Sequence, residues 1–520
     1  MSLKVTPTGF GNNSDKKSVK EIIKRFAGET TAHGIPHVIE RPKLISKIFW
    51  FTLVAAAFAV FCWQTRKLLQ NVYASNTKIE LINSQSVAFP AVTVCNLNKL
   101  KRSKLGNSTR WKEIVTIENR LDILQEGQNI TASVEIPRNE TLNRRKRENE
   151  QYQWYYDSFV NHFSDLDIVG NNNAAGYTET GVSEDDWYYT VINPTRQEFE
   201  EMGHQVQDFI LDCRFNARQC KDRHFKTTQN QEYGNCFTFN GNNDEGEVER
   251  VTKAGSSYGL HLTLFIEHDE YLGSLTEEAG VRVMPHDRDI MPHPEDVGLS
   301  LAPGFSTNIG IRQVEIRRLS RPHGNCTFGG EDIGFLSNNS YNYSILSCQK
   351  KCFLDQLSTN CSCVTEGYLD YDGIRLCDRS DRMCRQSVEK DFYSNELECE
   401  CPAPCRELVY NTQTTSARWP DDRNYHILRD DLCRTGNHKA CTVLNDVHVA
   451  RENLVNLKIY FQELNYELVE QVPDNTLESV IGTTGGLLGL YVGFSLITVV
   501  ETFILIYDVI VQMCKRILPK

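Results

Sequence analysis

Residues 479–511 read SVIGTTGGLLGLYVGFSLITVVETFILIYDVIV, an apolar tract with glycines crowded into its first half. A helix needs about 20 apolar residues to cross a bilayer, and residues 479–500 carry no charge. Small residues spaced four apart let membrane helices approach each other backbone to backbone. Three glycines of the tract have this spacing: Gly485, Gly489 and Gly493. The tract therefore predicts a membrane helix that packs closely against other helices.

Two carboxylates interrupt the tract, Glu501 and Asp508, which would lie two helical turns apart on one face. Ionisable residues at membrane depth usually face the interior of a helix bundle or a water-filled path. The alternative is a simple membrane anchor with a dimerisation stripe, which gives no reason for two charges inside an apolar tract. We therefore expect the tract to line a pore.

A second membrane span is predicted near the start of the chain. The segment Ile48–Trp63 is uncharged, and residues 44–47 extend it with a lysine that can snorkel to the membrane surface. It begins after 43 residues and lacks the small-residue cleavage site of a secretory signal. We therefore expect a first span over 44–65, a second over 479–511, and a very long loop between them.

The content of the loop predicts its location. Of the 18 cysteines, 16 lie between Cys95 and Cys441, a density typical of an oxidising compartment. The loop also carries seven N-glycosylation sequons, at Asn107, Asn129, Asn139, Asn325, Asn338, Asn342 and Asn360. We therefore expect residues 66–478 to be extracellular, with residues 1–43 and 512–520 cytoplasmic.

The loop combines strands with helices. Residues 79–98 and 451–472 alternate and are rich in β-branched side chains, so they predict strands that leave one span and enter the other as neighbours in one sheet. Further elements are predicted as helix at 111–126, as helix from the capping box of Thr195 and Glu198 through EFEEMGHQVQDFILDC, and as strands within 251–311. The run Arg144–Arg147 predicts a solvated surface loop, with a protease processing site as the alternative.

Composition and motifs exclude several classes of protein. A net charge of -12 argues against nucleic-acid binding. The sequence contains no HExxH and no phosphate-binding glycine loop, so we expect neither an enzyme nor a bound cofactor. A poreless membrane glycoprotein receptor is the remaining alternative from another class.

Several ordered motifs resemble the degenerin and epithelial sodium channel superfamily, from about residue 33 to residue 511. They are His33-Gly34 before the first span, FPAVTVCNLN at 89–98, GNCFTFN at 234–240, APGF and RPHGNC up to Cys326, and Gly493-Phe494-Ser495. The resemblance implies an α+β membrane protein with two transmembrane helices. It further implies a homotrimeric channel whose disulfide-rich extracellular domain has a palm β-sheet, a helical finger and a helical thumb.

The resemblance also implies how the cysteines pair. The implied disulfides are Cys95 with Cys236, Cys213 with Cys220, Cys326 with Cys405, Cys348 with Cys401, Cys352 with Cys399, Cys361 with Cys384, and Cys363 with Cys377. Cys433 and Cys441 remain in the loop, and we expect them to pair with each other.

Roles for individual residues follow from the resemblance. Gly493, Phe494 and Ser495 would form the selectivity filter for sodium, the only metal ion expected, and Glu501 and Asp508 would form rings of pore carboxylates. An amiloride-type molecule would block this pore. The residues implied in gating are His33, Gly34, Tyr73, His323 and Gly482, the last at the position of degenerin-type substitutions that hold the pore open.

Within the superfamily the chain most resembles invertebrate FMRFamide-gated sodium channels, which implies an amidated neuropeptide agonist. Acid-sensing relatives carry a histidine soon after the first span, and this chain has Ser75 there. The stretch 154–189 offers aromatic and acidic side chains to a cationic, aromatic peptide, although packing of the finger is the simpler explanation. The candidate ligand residues are Trp154, Tyr155, Tyr156, Asp157, Asp185, Asp186, Trp187, Tyr188 and Tyr189. Gating by acid, by amphiphiles or by mechanical force is the alternative.

Overall fold

The structure is a computed structural model of the chain. It describes residues 19–32, 34–106, 111, 114–115, 118–119, 194–220, 224–242, 248–273, 275–328, 341–365, 374–377, 379–394, 399–434 and 438–517. The chain divides into two compact units. The helical unit comprises residues 1–78, 318–325 and 470–520, and the sheet unit comprises residues 79–317 and 326–469.

The described helices are numbered in chain order. They are α1 Val19–Glu29, α2 Ile35–Glu40, α3 Leu44–Gln70, α4 Arg196–Met202, α5 Val206–Phe209, α6 Pro294–Val297, α7 Ile345–Cys361, α8 Arg382–Tyr393, α9 Tyr425–Arg434, α10 His438–Val443, α11 Val447–Asn453, α12 Leu477–Val492 and α13 Leu496–Ile517. Single 3-10 turns occur at Arg102–Lys104, Ser256–Tyr258, His268–Glu270 and Arg379–Asp381.

The helical unit contains the two predicted membrane spans. By length and hydropathy, α3 and residues Leu496–Cys514 of α13 qualify as spans, and α12 is a shorter apolar helix. None of the side chains of α3 is buried within the chain, so its apolar surface requires lipid or partner subunits. Helix α3 runs from Leu44 to Gln70, five residues beyond residue 65. The second tract forms two helices, α12 and α13, separated by residues 493–495.

The strands form three sheets. They are β1 Ser75–Ile82, β2 Val87–Ala88, β3 Ala91–Asn96, β4 Ile210–Phe215, β5 Arg218–Gln219, β6 Phe225–Asn230, β7 Gly234–Phe239, β8 Arg250–Val251, β9 Leu260–Phe265, β10 Val281–His286, β11 Leu299–Leu301, β12 Phe305–Arg317, β13 Arg406–Arg418, β14 Leu454–Phe461 and β15 Tyr466–Pro473. The largest sheet has the order β1-β15-β12-β14-β9-β4-β5, with β13 paired to β12. A second has the order β11-β10-β3-β7-β6, and β2 pairs with β8. As predicted, β1 and β15 are neighbours.

The main core of the sheet unit is built from the alternating faces of these strands. In β14 the side chains alternate between buried and partly exposed, as expected for a strand with one face on a core. Strand β3 lies between β10 and β7, and all six of its residues are buried. Buried aromatic rings cross-pack here, with Phe89 in edge contact with Phe215 and with Phe461. The core thereby joins the two larger sheets.

One predicted helix is shorter than the sequence indicates. The capping box of Thr195 and Glu198 is present and begins α4, as predicted. The helix nevertheless ends at Gly203, whose added Cβ would lie 2.5 Å from the carbonyl oxygen of Phe199, and residues 210–215 form strand β4. The prediction of one helix through DFILDC was therefore wrong, because pairing of β4 with β9 outweighs the local helical pattern. The helix predicted at 111–126 and the run Arg144–Arg147 lie largely or wholly outside the described residues.

Eight disulfides stabilise the sheet unit and its cysteine-rich helices. The bonds join Cys95 to Cys236, Cys213 to Cys220, Cys326 to Cys405, Cys348 to Cys401, Cys352 to Cys399, Cys361 to Cys384, Cys363 to Cys377, and Cys433 to Cys441. These are the pairs that the resemblance implies. Cys62 and Cys514, both in membrane-span helices, are free and exposed.

Candidate functional site

The break between α12 and α13, residues 493–495, is here called the filter turn. Gly493 ends α12 in the left-handed conformation, with φ +66°, which glycine adopts at little cost. Its amide donates to Gly489, and the amide of Phe494 donates to the carbonyl of Leu488. Ser495 then caps α13, because its hydroxyl accepts from the amide of Thr498. A glycine that ends one helix and a serine that caps the next thus interrupt the apolar tract.

Hydroxyl groups surround the start of α13. The hydroxyl of Thr498 is 3.1 Å from the amide nitrogen of Ser495 and 2.7 Å from the hydroxyl of Thr31. Thr498 is buried although it belongs to a membrane-span helix. The filter turn is therefore joined to the N-terminal segment through a chain of hydroxyl groups.

Glu501 contacts the same N-terminal segment. Its Oε2 accepts hydrogen bonds from the hydroxyl and the amide of Thr31, at 3.3 and 3.0 Å, and from the hydroxyl of Thr30 at 3.1 Å. Thr30 and Ala32 are buried by this packing. Three donors satisfy one carboxylate oxygen, so Glu501, six residues after Ser495, fixes the turn between α1 and α2. No feature of the sequence indicated these contacts, which join residues some 470 positions apart.

Gly34 packs the same turn against α3. Its φ is +82°, and an added Cβ would lie 2.5 Å from Cγ2 of Val54. Nearby, the rings of His37 and Trp50 pack at an interplanar angle of 35°, with centroids 4.7 Å apart. Only glycine fits here, on both backbone and steric grounds. His33, the other residue of the motif, lies outside the described residues.

A side-chain hydrogen bond joins α3 to α12 close to the filter turn. Nε2 of Gln64 donates to the hydroxyl oxygen of Tyr491, 3.0 Å away. The outer ends of both helices are joined as well, because Asn475 donates to the carbonyl of Asn71 and the amide of Asp474 donates to the carbonyl of Ala74. The two spans are therefore connected along their length within one protomer.

Tyr73 and His323 meet within the helical unit. Their ring centroids are 5.9 Å apart in an edge-on arrangement. Leu319, four residues before His323, donates its amide to the side-chain oxygen of Gln471 on β15. The segment 318–325 is thereby held both at the end of α3 and at the strand that enters α12.

The glycines of α12 face open space within the protomer. An added Cβ at Gly482, Gly485 or Gly486 would meet nothing within 4 Å, and at Gly489 it would lie 3.9 Å from the carbonyl oxygen of Phe494. Asp508 is likewise exposed on α13. These positions are accessible to neighbouring subunits or to water.

A buried ionic cluster lies in the sheet unit, and sequence analysis did not identify it. Glu267 is fully buried at φ +53° and accepts from His204 at 2.8 Å, from Lys101 at 2.7 Å and from Lys439. Burial alone would raise the pKa of Glu267, but these hydrogen bonds hold it well below its usual range. Burial lowers the pKa of His204 below its ordinary value, although the neighbouring Glu267 opposes the shift. Glu270 completes the cluster by accepting from Lys439 and from the amide of Ser103.

Other predicted site residues are only partly described. The candidate peptide residues Trp154 to Asp157 and Asp185 to Tyr189 lie outside the described residues, as do the sequons at Asn107, Asn129, Asn139 and Asn338. Asn325, Asn342 and Asn360 are exposed on the sheet and helical units, where glycans can be accommodated. Ser75 is the first residue of β1.

The filter turn places non-helical backbone inside an apolar segment. Such backbone is tolerated at membrane depth only when it is buried in protein or lines a water-filled path. Carbonyl and hydroxyl oxygens of the turn are hard ligands, suited to a small partly dehydrated cation. Around an axis of symmetry, these oxygens would form a ring.

Comparison with known proteins places the chain in a family. The sequence profile described as "Amiloride-sensitive sodium channel" matches residues 26–505. Similar proteins include the epithelial sodium channel subunit gamma of Pelodiscus sinensis, 25% identical over 537 aligned residues that cover 93% of this chain and 79% of the relative. The subunit alpha of Cavia porcellus is 26% identical, covering 95% and 77%, and the human subunit beta is 26% identical, covering 94% and 82%. With its two apolar span helices, its eight disulfides and a family match over most of its length, the chain belongs to the amiloride-sensitive sodium channel family.

Proposed function

We propose that this chain forms a sodium-selective pore in the plasma membrane, with the filter turn as its selectivity filter. The observation that carries the proposal is the break at Gly493, which places non-helical backbone between two apolar helices. We propose that three copies of the turn surround the conduction path, with both termini in the cytoplasm and amiloride-type molecules blocking from outside. Glu501 and Asp508 would add negative charge below the filter.

Conduction can be tested without knowing the agonist, in a variant that is open without a stimulus. Replacing Gly482 by phenylalanine should hold the pore open without any stimulus, because a bulky side chain on the open face of α12 prevents close approach of three helices. Cells that express Gly482→Phe should carry an inward sodium current that reverses near the sodium potential and falls on adding amiloride. A surface-expressed Gly482→Phe chain with no current under any cation would contradict the pore.

We further propose that an extracellular FMRFamide-like peptide opens the channel. The support is the aromatic and acidic stretch at 154–189, together with Ser75 where acid-sensing relatives carry a histidine. A peptide with an amino terminus, an arginine and two phenylalanines finds both charge partners and ring partners in such a stretch. Differential affinity for the open state then shifts the closed-to-open equilibrium.

The agonist is tested by recording whole-cell current during application of amidated peptides and of acid to cells expressing this chain alone. Losing one charge-assisted contact should raise the half-activating peptide concentration by roughly ten- to a hundredfold. The variants are Asp157→Asn, Asp185→Asn, Asp186→Asn and Trp187→Ala, each over a full concentration range. Unchanged sensitivity in all four would place the peptide site elsewhere. Opening by acid with no response to any amidated peptide would support the acid-gated alternative.

A further inference from the structure

We propose that Gln64 and Tyr491 form a positioning pair that aligns the filter turn with the first membrane helix. The amide nitrogen of Gln64 lies 3.0 Å from the hydroxyl oxygen of Tyr491. Tyr491 belongs to the last turn of α12, two residues before Gly493. The inference rests on the proposed role of the filter turn and names two residues that determine its orientation.

The chemical surroundings make this contact consequential. Gln64 follows the apolar run AVFCW of α3, and Tyr491 lies between Leu490 and Val492. Both side chains are partly buried between the helices. In an apolar environment a glutamine amide without a partner is costly, so the hydrogen bond favours one register of α3 against α12. Among the residues that the structure describes, no other side-chain hydrogen bond joins the two helices.

The hydrogen bond between Gln64 and Tyr491 lies next to the filter turn, at the end of α12. The final hydrogen bonds of α12 run from Gly493 to Gly489 and from Phe494 to Leu488, on either side of Tyr491 in the sequence. A rotation of the end of α12 therefore turns the carbonyl groups of the filter turn with it. Gln64 holds that end against α3, so Gln64 acts on permeation through Tyr491 and not by contact with the ion.

Each partner has a substitution that removes the hydrogen bond and little else. Tyr491→Phe removes one oxygen and keeps the ring, and Gln64→Leu keeps a similar side-chain volume. Thr65→Val is the matched control, because the buried hydroxyl of Thr65 has no hydrogen-bond partner within the described part of the chain. All variants are made in full-length Gly482→Phe, so that no agonist is needed.

The measurement is the ratio of sodium to potassium permeability, obtained from reversal potentials, with surface protein determined by biotinylation. This ratio does not depend on the number of channels, so poor expression cannot mimic the effect. Interhelical hydrogen bonds in membranes shift equilibria by about 3- to 18-fold. We expect each single variant to lower the permeability ratio by a factor within that range, the double variant to lower it no further, and Thr65→Val to keep it.

The experiment distinguishes failure of the positioning pair from failure of the proposed function. An unchanged ratio in Tyr491→Phe, or single effects that multiply in the double variant, would overturn the positioning pair while leaving the pore intact. A Gly482→Phe parent that reaches the surface and carries no sodium current would overturn the proposed function and this inference with it.

Discussion

At the scale of single residues, two glycines in the same segment give opposite expectations. Gly34→Ala places a methyl group 2.5 Å from Cγ2 of Val54 at a φ of +82°, whereas an added Cβ at Gly28 in α1 has only Oε1 of Glu40 at 3.9 Å. We expect Gly34→Ala to displace the Thr30–Thr31 turn and reduce current per surface channel, and Gly28→Ala to leave it normal. Trimming the opposing side chain with Val54→Ala should recover part of the current. Equal currents in all variants would remove Gly34 from gating.

His286 makes the sheet unit sensitive to acid. Its Nε2 is 2.8 Å from the hydroxyl of Thr93, and its Nδ1 donates to the carbonyl of Asp287. Burial lowers its pKa from 6.5 to about 4. Between these values the unfolded chain binds a proton that the folded chain does not, so the free energy of unfolding falls as the pH is lowered.

This linkage predicts a loss of about 2 kcal/mol between pH 7 and pH 5 from His286 alone. Thermal unfolding of the purified full-length protein should therefore shift downward on acidification, and the shift should be smaller in His286→Gln, which keeps a hydrogen-bonding side chain towards Thr93. The exposed His448 provides the control, since His448→Gln should retain the full shift. An equal acid shift in parent and His286→Gln would show that His286 does not carry the linkage.

At the scale of elements, Glu267 joins three segments that are distant in sequence: Lys101, the α4–α5 connection through His204, and α10 through Lys439. Glu267→Gln removes the fully buried counter-charge of Lys101 and Lys439 and leaves them Asp208 and Glu270 as close partners. Removing one partner of a buried pair costs about 3–5 kcal/mol. We expect a strong loss of surface protein. Asp269→Asn is the control, because Asp269 is half exposed and 3.9 Å from Lys439. Normal surface amounts of Glu267→Gln would contradict a structural role.

The contact between α13 and the Thr30–Thr31 turn distinguishes Glu501 from Asp508. Glu501 accepts three hydrogen bonds there, whereas Asp508 is exposed. We expect Glu501→Gln and Thr31→Val to change open probability with non-additive effects, because they break one network. Asp508→Asn should change only single-channel conductance or divalent block. Single-channel recording distinguishes these outcomes, and identical phenotypes for both amides would contradict the separation.

At the scale of the whole molecule, the sequence predicts what depends on local chemistry. The apolar runs located both spans, and the adjacency of β1 and β15 followed from strands at the ends of the spans. Pairing of the cysteines required family resemblance, since spacing alone allows many connectivities. The contacts of Glu501 with Thr30 and of Gln64 with Tyr491 have no local signal, because each joins residues over 400 positions apart. The early end of α4 was missed because strand pairing outweighed a helical pattern.

The exposed glycine face of α12 bears on how subunits assemble. Within the protomer an added Cβ at Gly482, Gly485 or Gly486 meets nothing within 4 Å, so the closest packing of α12 is left for other subunits. We expect the chain expressed alone to form a homotrimer, with a deglycosylated protein mass three times 59.5 kDa by native mass spectrometry.

The homotrimer prediction has a matched pair of variants. Gly486→Leu should weaken the trimer, so that monomer appears beside trimer in the mass spectrum, because it fills the face on which the helices pack. Gly106→Leu should not, although its added Cβ also meets nothing within 4 Å, because Gly106 is in an exposed turn of the sheet unit. A monomeric parent, or one that assembles only with a second co-expressed subunit, would contradict self-assembly and point to a heteromer. A trimer that tolerates Gly486→Leu would move the interface away from α12, and the open glycine face would then be free to face lipid or the pore.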